Sequence, residues 1–369
     1  MKVKNLITVI TMAVLVFGMS FWCWFRKPED FSGSERRVLK TFPELSAETI
    51  VDASFMNSFE DYAMDQFPMR DMFRGFKSAA ELFVFQKLDN NDLYLQDGYI
   101  AKVEYPQNDK MIDHAAGRFR YIYDTYLSGT DTNVYMSVIP DKNCFLSDKR
   151  NRLSLDYPEF IKSVRSQTDD FTKYIDITDL LTLSDFYRTD THWRQEKITD
   201  VAERLASAMG ASLSGTYTKK TLDKPFYGVY YNQLALPAEP DELCWMTNDT
   251  LEKCKVTSYN NKYGQPVEAQ MYSMEKAEGR DAYEMFLNGS DPLVTVENPD
   301  ASSDRELIIF RDSFGSSLAP LLVDGYSKVT LVDIRYISSS ALSAYIDFED
   351  QDVLFIYSTL ILNNSLAMK

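Results

Sequence analysis

Glu306-Leu307-Ile308-Ile309-Phe310-Arg311-Asp312-Ser313-Phe314-Gly315 is the stretch on which the fold turns. Four successive apolar residues suit a strand covered on both faces, as strands of a parallel sheet are. Phe314-Gly315-Ser316-Ser317-Leu318-Ala319 then opens a helix. Ser313 therefore falls at a strand-to-helix turn, on the carboxyl edge of the sheet where open α/β folds place their sites. Amides of a helix N-terminus at that edge can also stabilise an oxyanion.

Working outward, the same alternation recurs. Upstream, a helix over 109–127 precedes the strand Asn133–Ile139, which Pro140 closes, with Cys144 expected at a strand end. A helix over 157–167 precedes a strand over Lys173–Ile177, and a third helix carries Ile198, Val201, Ala202, Leu205 and Met209 on one face. Downstream, helices at 315–323 and 338–345 alternate with strands at 327–333 and 352–357. Strands alternating with helices of this length imply an α/β chain whose mainly parallel sheet has helices on both sides. Residues 212–300 break the rhythm: rich in Tyr, Asn, Thr and Pro, they read as a β-rich or irregular insertion.

Before the alternation, Asp97-Gly98 between Leu93-Tyr94-Leu95 and Tyr99-Ile100 marks a hairpin. Ile50, Phe55, Phe59 and Tyr62, then Met72, Phe76, Ala79, Ala80 and Phe83, recur at helical spacing and are expected to be core. Residues 28–46, with Pro28, Gly33 and Pro43, read as a tether. At the start, Lys2 and Lys4 precede an apolar run from Leu6 to Phe25, followed by Arg26 and Lys27. About 20 such residues span a bilayer as a helix. No small-x-small cleavage site follows the run, and Phe21-Trp22-Cys23-Trp24-Phe25 suits an interfacial belt, which favours a retained anchor over a cleaved signal. The expected organisation is a transmembrane signal anchor at 1–27, tether and amphipathic helices at 28–88, and an α/β domain at 89–369 with its insertion at about 212–300. The anchor places the main domain outside the cytoplasm of a single-pass membrane protein.

Composition narrows the function. A net charge of −16 with a pI near 4.7 lacks the Lys/Arg field that phosphate neutralisation needs, so nucleic acid is not an expected partner. Of four cysteines, Cys244 and Cys254 bracket a short polar loop and stand either as a disulfide or as free thiols. No Cys-x-x-Cys or histidine cluster calls for a metal, and no cofactor is implied.

There are only two histidines. His192, in Asp190-Thr191-His192-Trp193, has a carboxylate two residues upstream, whereas His114 reads as a surface or partly buried helix residue. A serine hydroxyl needs a base within about 3 Å, and the base needs a carboxylate to fix its tautomer. Asp190 and His192 supply that pair if the fold brings them to Ser313. Alone, an Asp-x-His can arise by chance and a post-strand serine can be a mere helix cap. Asp312 reads as a support or cap, since adjacent side chains in an extended turn diverge.

Tyr187-Arg188-Thr189-Asp190-Thr191-His192-Trp193 and Arg311-Asp312-Ser313-Phe314-Gly315-Ser316-Ser317 resemble the paired motifs of the DHHW protein family, relatives of the SGNH-hydrolase-like alginate O-acetyltransferases. The resemblance extends to Phe67-Pro68-Met69-Arg70-Asp71, to Gly289-Ser290-Asp291-Pro292-Leu293-Val294 and to the tail Asp352–Ser365. Thr191 stands where the family's name has its first histidine, and the related acetyltransferases share Asp-Thr-His-Trp. The resemblance implies an SGNH-hydrolase-like, flavodoxin-like three-layer sandwich, circularly permuted so that the Asp-His element precedes the serine. It implies Ser313 as nucleophile, His192 as general base and Asp190 as its orienter. The family's oxyanion donors do not map cleanly. By position after the neighbouring strands, Arg335 and Tyr336, then Tyr357 and Asn363, are candidates for oxyanion or substrate contacts. The activity implied is O-acetylation of an extracytoplasmic polysaccharide, with a membrane-bound O-acyltransferase partner delivering the acetyl group. The alternatives are a carbohydrate acetylesterase with the same triad, and a non-catalytic envelope scaffold or glycan-binding protein.

Overall fold

Along Glu306–Arg311 the side chains divide between two faces: Leu307 and Ile309 enter one apolar cluster, Ile308 and Phe310 another. That period of two on a strand buried on both faces makes a central strand with a layer on each side. A computed structural model describes residues 3–32, 35, 37–146, 152–213, 215–260 and 264–369. It divides into two compact units, one of residues up to Asn90 with Asn232–Pro237, the other of Asn91–Tyr231 with Ala238–Lys369.

The first unit opens with helix α1 (Val3–Phe25), 23 residues with none buried and an 18-residue stretch of mean hydropathy 2.2, long and apolar enough to cross a membrane. The segment read as a tether carries local structure among its described residues. Phe31–Ser32 pairs antiparallel with Arg37–Val38, and Ser46 and Thr49 form a capping box for α2 (Ala47–Val51). Helices α3 (Ser54–Asp65) and α4 (Arg70–Ala79) follow. The stripe expected to be core on α4 is not: Met72, Phe76 and Phe83 are exposed, as is Ile50 of α2. Arg70, Arg74 and Ser78 face inward in their place, paired with Glu35 and Asn90.

The second unit is built on an eight-stranded sheet. In chain order its strands are β1 (Asn133–Ile139), β2 (Lys173–Tyr174), β3 (Lys255–Ser258), β4 (Val267–Ala269), β5 (Leu293–Glu297), β6 (Glu306–Arg311), β7 (Lys328–Val332) and β8 (Asp352–Ser358). Across the sheet the order is β4-β3-β5-β7-β6-β8-β1-β2. Strands β7, β6, β8, β1 and β2 run parallel, and β5, β3 and β4 continue from β7 as an antiparallel wing. All three wing strands come from the irregular stretch before Asp300, which thereby adds to the main sheet. On one face pack α7 (Thr199–Ala208), through Val201, Ala202 and Leu205, and α8 (Ser313–Leu322), through Leu318 and Leu321. Ile112, Phe119 and Ile122 of α5 (Asp109–Ile122) and Phe160 and Val164 of α6 (Tyr157–Ser166) cover the other.

Local departures have local causes. Asp97 and Gly98, with φ of 51° and 80°, make the hairpin turn between Leu93–Gln96 and Tyr99–Lys102. The expected strand Lys173–Ile177 pairs only over Lys173–Tyr174, because Asp176 turns the chain by accepting from the Thr178 amide at 2.9 Å. Cys144 sits in a 3₁₀ turn, Lys142–Phe145, which Asp141 caps after Pro140 ends β1. The expected helix at 338–345 is a 3₁₀ segment, Ser339–Ala344. Cys244 and Cys254 are free thiols, one opening a strand and the other ending the short helix Asp249–Lys253.

Candidate active site

Ser313 is the first residue of α8, directly beyond β6 and between β7 and β8 at the carboxyl edge. The turn is held by Asp312, fully buried, whose carboxylate accepts from the Phe314 amide at 3.0 Å and the Ser358 amide at 2.8 Å. Asp312 is thus the cap expected of it. Gly315 is needed because a Cβ there would lie 2.5 Å from the Cβ of Arg311. The Arg311 guanidinium, also fully buried, donates to the carbonyls of Gly289 (3.0 Å) and Asp291 (3.3 Å), and Ser316 Oγ donates to the same Gly289 carbonyl at 3.0 Å. These bonds fasten Leu287-Asn288-Gly289, three successive residues at φ of 46°, 62° and 67°, to the start of α8.

The Asp-His element arrives on a closed loop. Phe186 and Trp193 bridge across its base, and the Tyr187 amide donates to the His192 carbonyl at 3.1 Å. Trp193 is wholly buried, and its indole Nε1–H donates to Ser317 Oγ (2.9 Å) and to the Phe314 carbonyl (3.1 Å). The loop is thereby tied to the helix that bears Ser313. As a result His192 lies between Asp190 and Ser313, with Nδ1 2.5 Å from Asp190 Oδ1 and Nε2 2.7 Å from Ser313 Oγ. An ionised carboxylate only accepts, so Nδ1 carries the proton and Nε2 is left to accept from the serine hydroxyl.

Asp190 is 1% exposed, and its second oxygen accepts from the Val229 amide at 2.8 Å. Burial opposes its ionisation, but the charge and hydrogen bond of His192, with the amides of Val229 and His192, outweigh burial and hold the carboxyl below its ordinary range. Gly228 permits this approach: a Cβ there would fall 2.1 Å from the Cβ of Asp190. Neighbouring Thr189 is clamped by Asp241, whose carboxylate accepts from the amides of Arg188 and Thr189 at 2.8 Å each and from Thr189 Oγ1 at 2.6 Å. Thr191, at the position of the missing histidine, accepts from the Tyr230 hydroxyl at 3.0 Å.

Two further residues were not legible in the sequence. Tyr283 stacks on the His192 imidazole, with centroids 3.7 Å apart and planes 3° from parallel. Its hydroxyl is 2.8 Å from Ser317 Oγ and donates to the Ser313 carbonyl at 3.4 Å. Lys142, 1% exposed, donates to the carbonyls of Tyr187 (2.8 Å), Arg188 (3.3 Å) and Asp190 (2.6 Å), so a buried ammonium holds the underside of the loop. Burial pushes it down to about 7, against the pull of Asp190, Asp241 and Asp141. Its position just beyond the carboxyl end of β1 was the one available signal; Tyr283 gave none.

Of the four candidates for oxyanion or substrate contacts, Arg335 and Asn363 hold side-chain partners within the fold. Arg335 forms a two-pronged pair with Asp333, Nε to Oδ1 at 2.9 Å and Nη2 to Oδ2 at 2.6 Å. Tyr336 is exposed. Tyr357 is buried against Phe119, and its hydroxyl has no hydrogen-bond partner among the described residues. Asn363 is structural in its bonding: it donates to Glu104 (2.7 Å) and the Pro106 carbonyl (3.1 Å) and accepts from the Asn108 amide at 2.7 Å. His114 lies apart, its Nδ1 3.1 Å from Ser365 Oγ.

A large, mostly parallel sheet of an α/β protein thus carries serine, histidine and aspartate in hydrogen-bonded series at its carboxyl edge. Solved structures are similar in fold. The chain is similar in fold to a DHHW family protein from Eubacterium siraeum, with a TM-score of 0.59 and 19% identity over 76% of this chain and 95% of that one. It is similar also to Bacillus cereus PatB1, in a structure with a sulfonyl adduct, with a TM-score of 0.58 and 19% identity over 74% of this chain and 97% of that one. No family model matches the sequence, and no curated protein matches it.

Proposed function

We propose that the protein is a membrane-anchored O-acetyltransferase that acts outside the cytoplasm on a cell-envelope or exported polysaccharide. The observation that carries the reading is His192, bridging Asp190 at 2.5 Å and Ser313 at 2.7 Å on the edge of a parallel sheet. Ser313 Oγ attacks the acyl carbonyl of a donor as its proton passes to His192 Nε2. The imidazolium returns that proton to the leaving group as the donor bond breaks, giving an acetyl ester on Ser313. A sugar hydroxyl then attacks this ester, losing its proton to His192, which passes it back to Ser313 Oγ as the serine departs. Asp190 stays ionised throughout and offsets the imidazolium charge. Asp312 takes the first-turn amides of Phe314 and Gly315, which leaves the Ser313 amide as the α8 donor proposed to meet the developing oxyanion. The donor is an acyl group carried across the membrane by a membrane-bound O-acyltransferase, beside which α1 holds the domain. That activity and that partner follow from the motif resemblance; the geometry supports the acyl chemistry.

The test uses the full chain in detergent with an activated acetyl ester and an oligosaccharide acceptor. Wild type is expected to release and transfer acetyl, and to be labelled by a sulfonyl fluoride at Ser313. Ser313→Ala and His192→Ala are expected to lose at least about a thousandfold in rate. Equal rates in all three proteins would sink the triad. Hydrolysis without transfer at saturating acceptor would select a carbohydrate acetylesterase.

A further inference from the structure

Helix α4 is inside out. Arg70, Arg74 and Ser78, four residues apart, form its inward side: Arg70 and Arg74 pair with Glu35 at 2.6 and 3.1 Å, and Ser78 is buried and accepts from Asn90 at 2.7 Å. The opposite side carries Met72, Phe73 and Phe76, and the π turn after it (Ala80–Val84) continues with Phe83 and Val84, followed directly by Phe85. Phe76 and Phe83 are each 64% exposed and Phe85 69%. A water-facing helix turns its charges outward and its phenylalanines in. A contiguous apolar face of this size marks a surface that is covered in use.

The chain itself says by what. Four residues beyond the end of α1, the Glu29 amide donates to Gln66 Oε1 at 2.9 Å, and Gln66 Nε2 donates back to the Glu29 carbonyl at 2.8 Å. Four extended residues reach at most roughly 14 Å. Gln66 caps α3, and α4 begins four residues later, so the start of α4 is held close to where α1 leaves the bilayer. Arg26 and Glu29 line one surface depression together with Met69, Arg70 and Met72.

We infer that the apolar side of α4 and its π turn lies in the lipid interface of the same bilayer that α1 spans, as an amphipathic helix does, with its arginines turned to the protein. This rests on α1 being a retained anchor. The occupant is lipid, and a membrane-protein partner is the competing occupant.

The full chain, with a site-specific protease sequence inserted between Lys27 and Pro28, is reconstituted in phosphatidylcholine vesicles, cut, and floated in high salt. The cut wild-type chain is expected to float with the vesicles. Phe76→Ser with Phe83→Ser is expected to lower the floating fraction about tenfold after cutting and to leave flotation of the uncut chain unchanged. Release of the cut wild-type chain overturns the inference, as does a double variant that floats like wild type. Retention only on membranes that contain other proteins overturns it in favour of a protein partner. An uncut chain that fails to float removes the anchor instead, and with it the premise.

Discussion

Three groups meet His192 from three directions. Asp190 takes its Nδ1, Ser313 faces its Nε2, and Tyr283 lies flat on its ring at 3.7 Å. The first two fix where the nitrogens are, but neither prevents the ring from rocking about the line joining them. A parallel aromatic face does, and it stays in contact as the imidazole becomes cationic. Tyr283→Phe keeps the face and loses only the hydroxyl bonds to Ser317 and the Ser313 carbonyl, so its kcat is expected within about threefold of wild type. Tyr283→Leu is expected to lower kcat by at least about tenfold with little change in KM, because it loosens orientation without touching substrate. Steady-state kinetics on the pair decides this, and equal losses in both variants would make the role one of packing alone.

At the scale of elements, the loop from Tyr187 to Trp193 is held from every side by groups remote in sequence: Lys142 below, Asp241 and Gly228 beside it, and Trp193 into α8. Lys142 makes the clearest pH signature. Its folded value, about 7, is below the 10.5 of an ordinary lysine. Below pH 7 both folded and unfolded chains carry the proton, and the group adds no slope. Between about 7 and 10.5 the unfolded chain binds a proton that the folded chain has released, so stability from this group rises with pH, by at most about 1.4 kcal/mol per unit. Wild type is therefore expected to gain on Lys142→Met as denaturation is repeated from about pH 6.5 to 10. A flat difference would mean that three carbonyl acceptors keep the ammonium charged to high pH.

For the whole molecule, α1 is long and apolar enough to span a bilayer, and the proposed topology puts the acidic body outside the cytoplasm. Alkaline carbonate is expected to leave the full chain in the membrane pellet, and protease added to intact spheroplasts is expected to degrade the body; protection until lysis would reverse the topology. Much of this was written locally. Continuous apolar runs dictate buried parallel strands such as Asn133–Ile139 and Glu306–Arg311, and a strand end followed by a helix start presents Ser313, because each depends only on neighbours in the chain; a count of two histidines leaves His192, beside Asp190, as the candidate base. The stripe on α4 shows where that reasoning stops: its spacing specified an amphipathic helix but not which side faces inward, and the ion pairs of Glu35 with Arg70 and Arg74 reversed it. The antiparallel wing likewise pairs residues 9 to 42 positions apart, while Lys142 lies 48 positions from Asp190 and Tyr283 lies 91 from His192. The sequence by itself determined which side chains can carry acyl chemistry and on what kind of sheet edge. Only the tertiary structure decided their distances, the ring that holds the imidazole and the face left apolar, since contacts across the fold depend on how layers pack and leave no periodic trace in the chain.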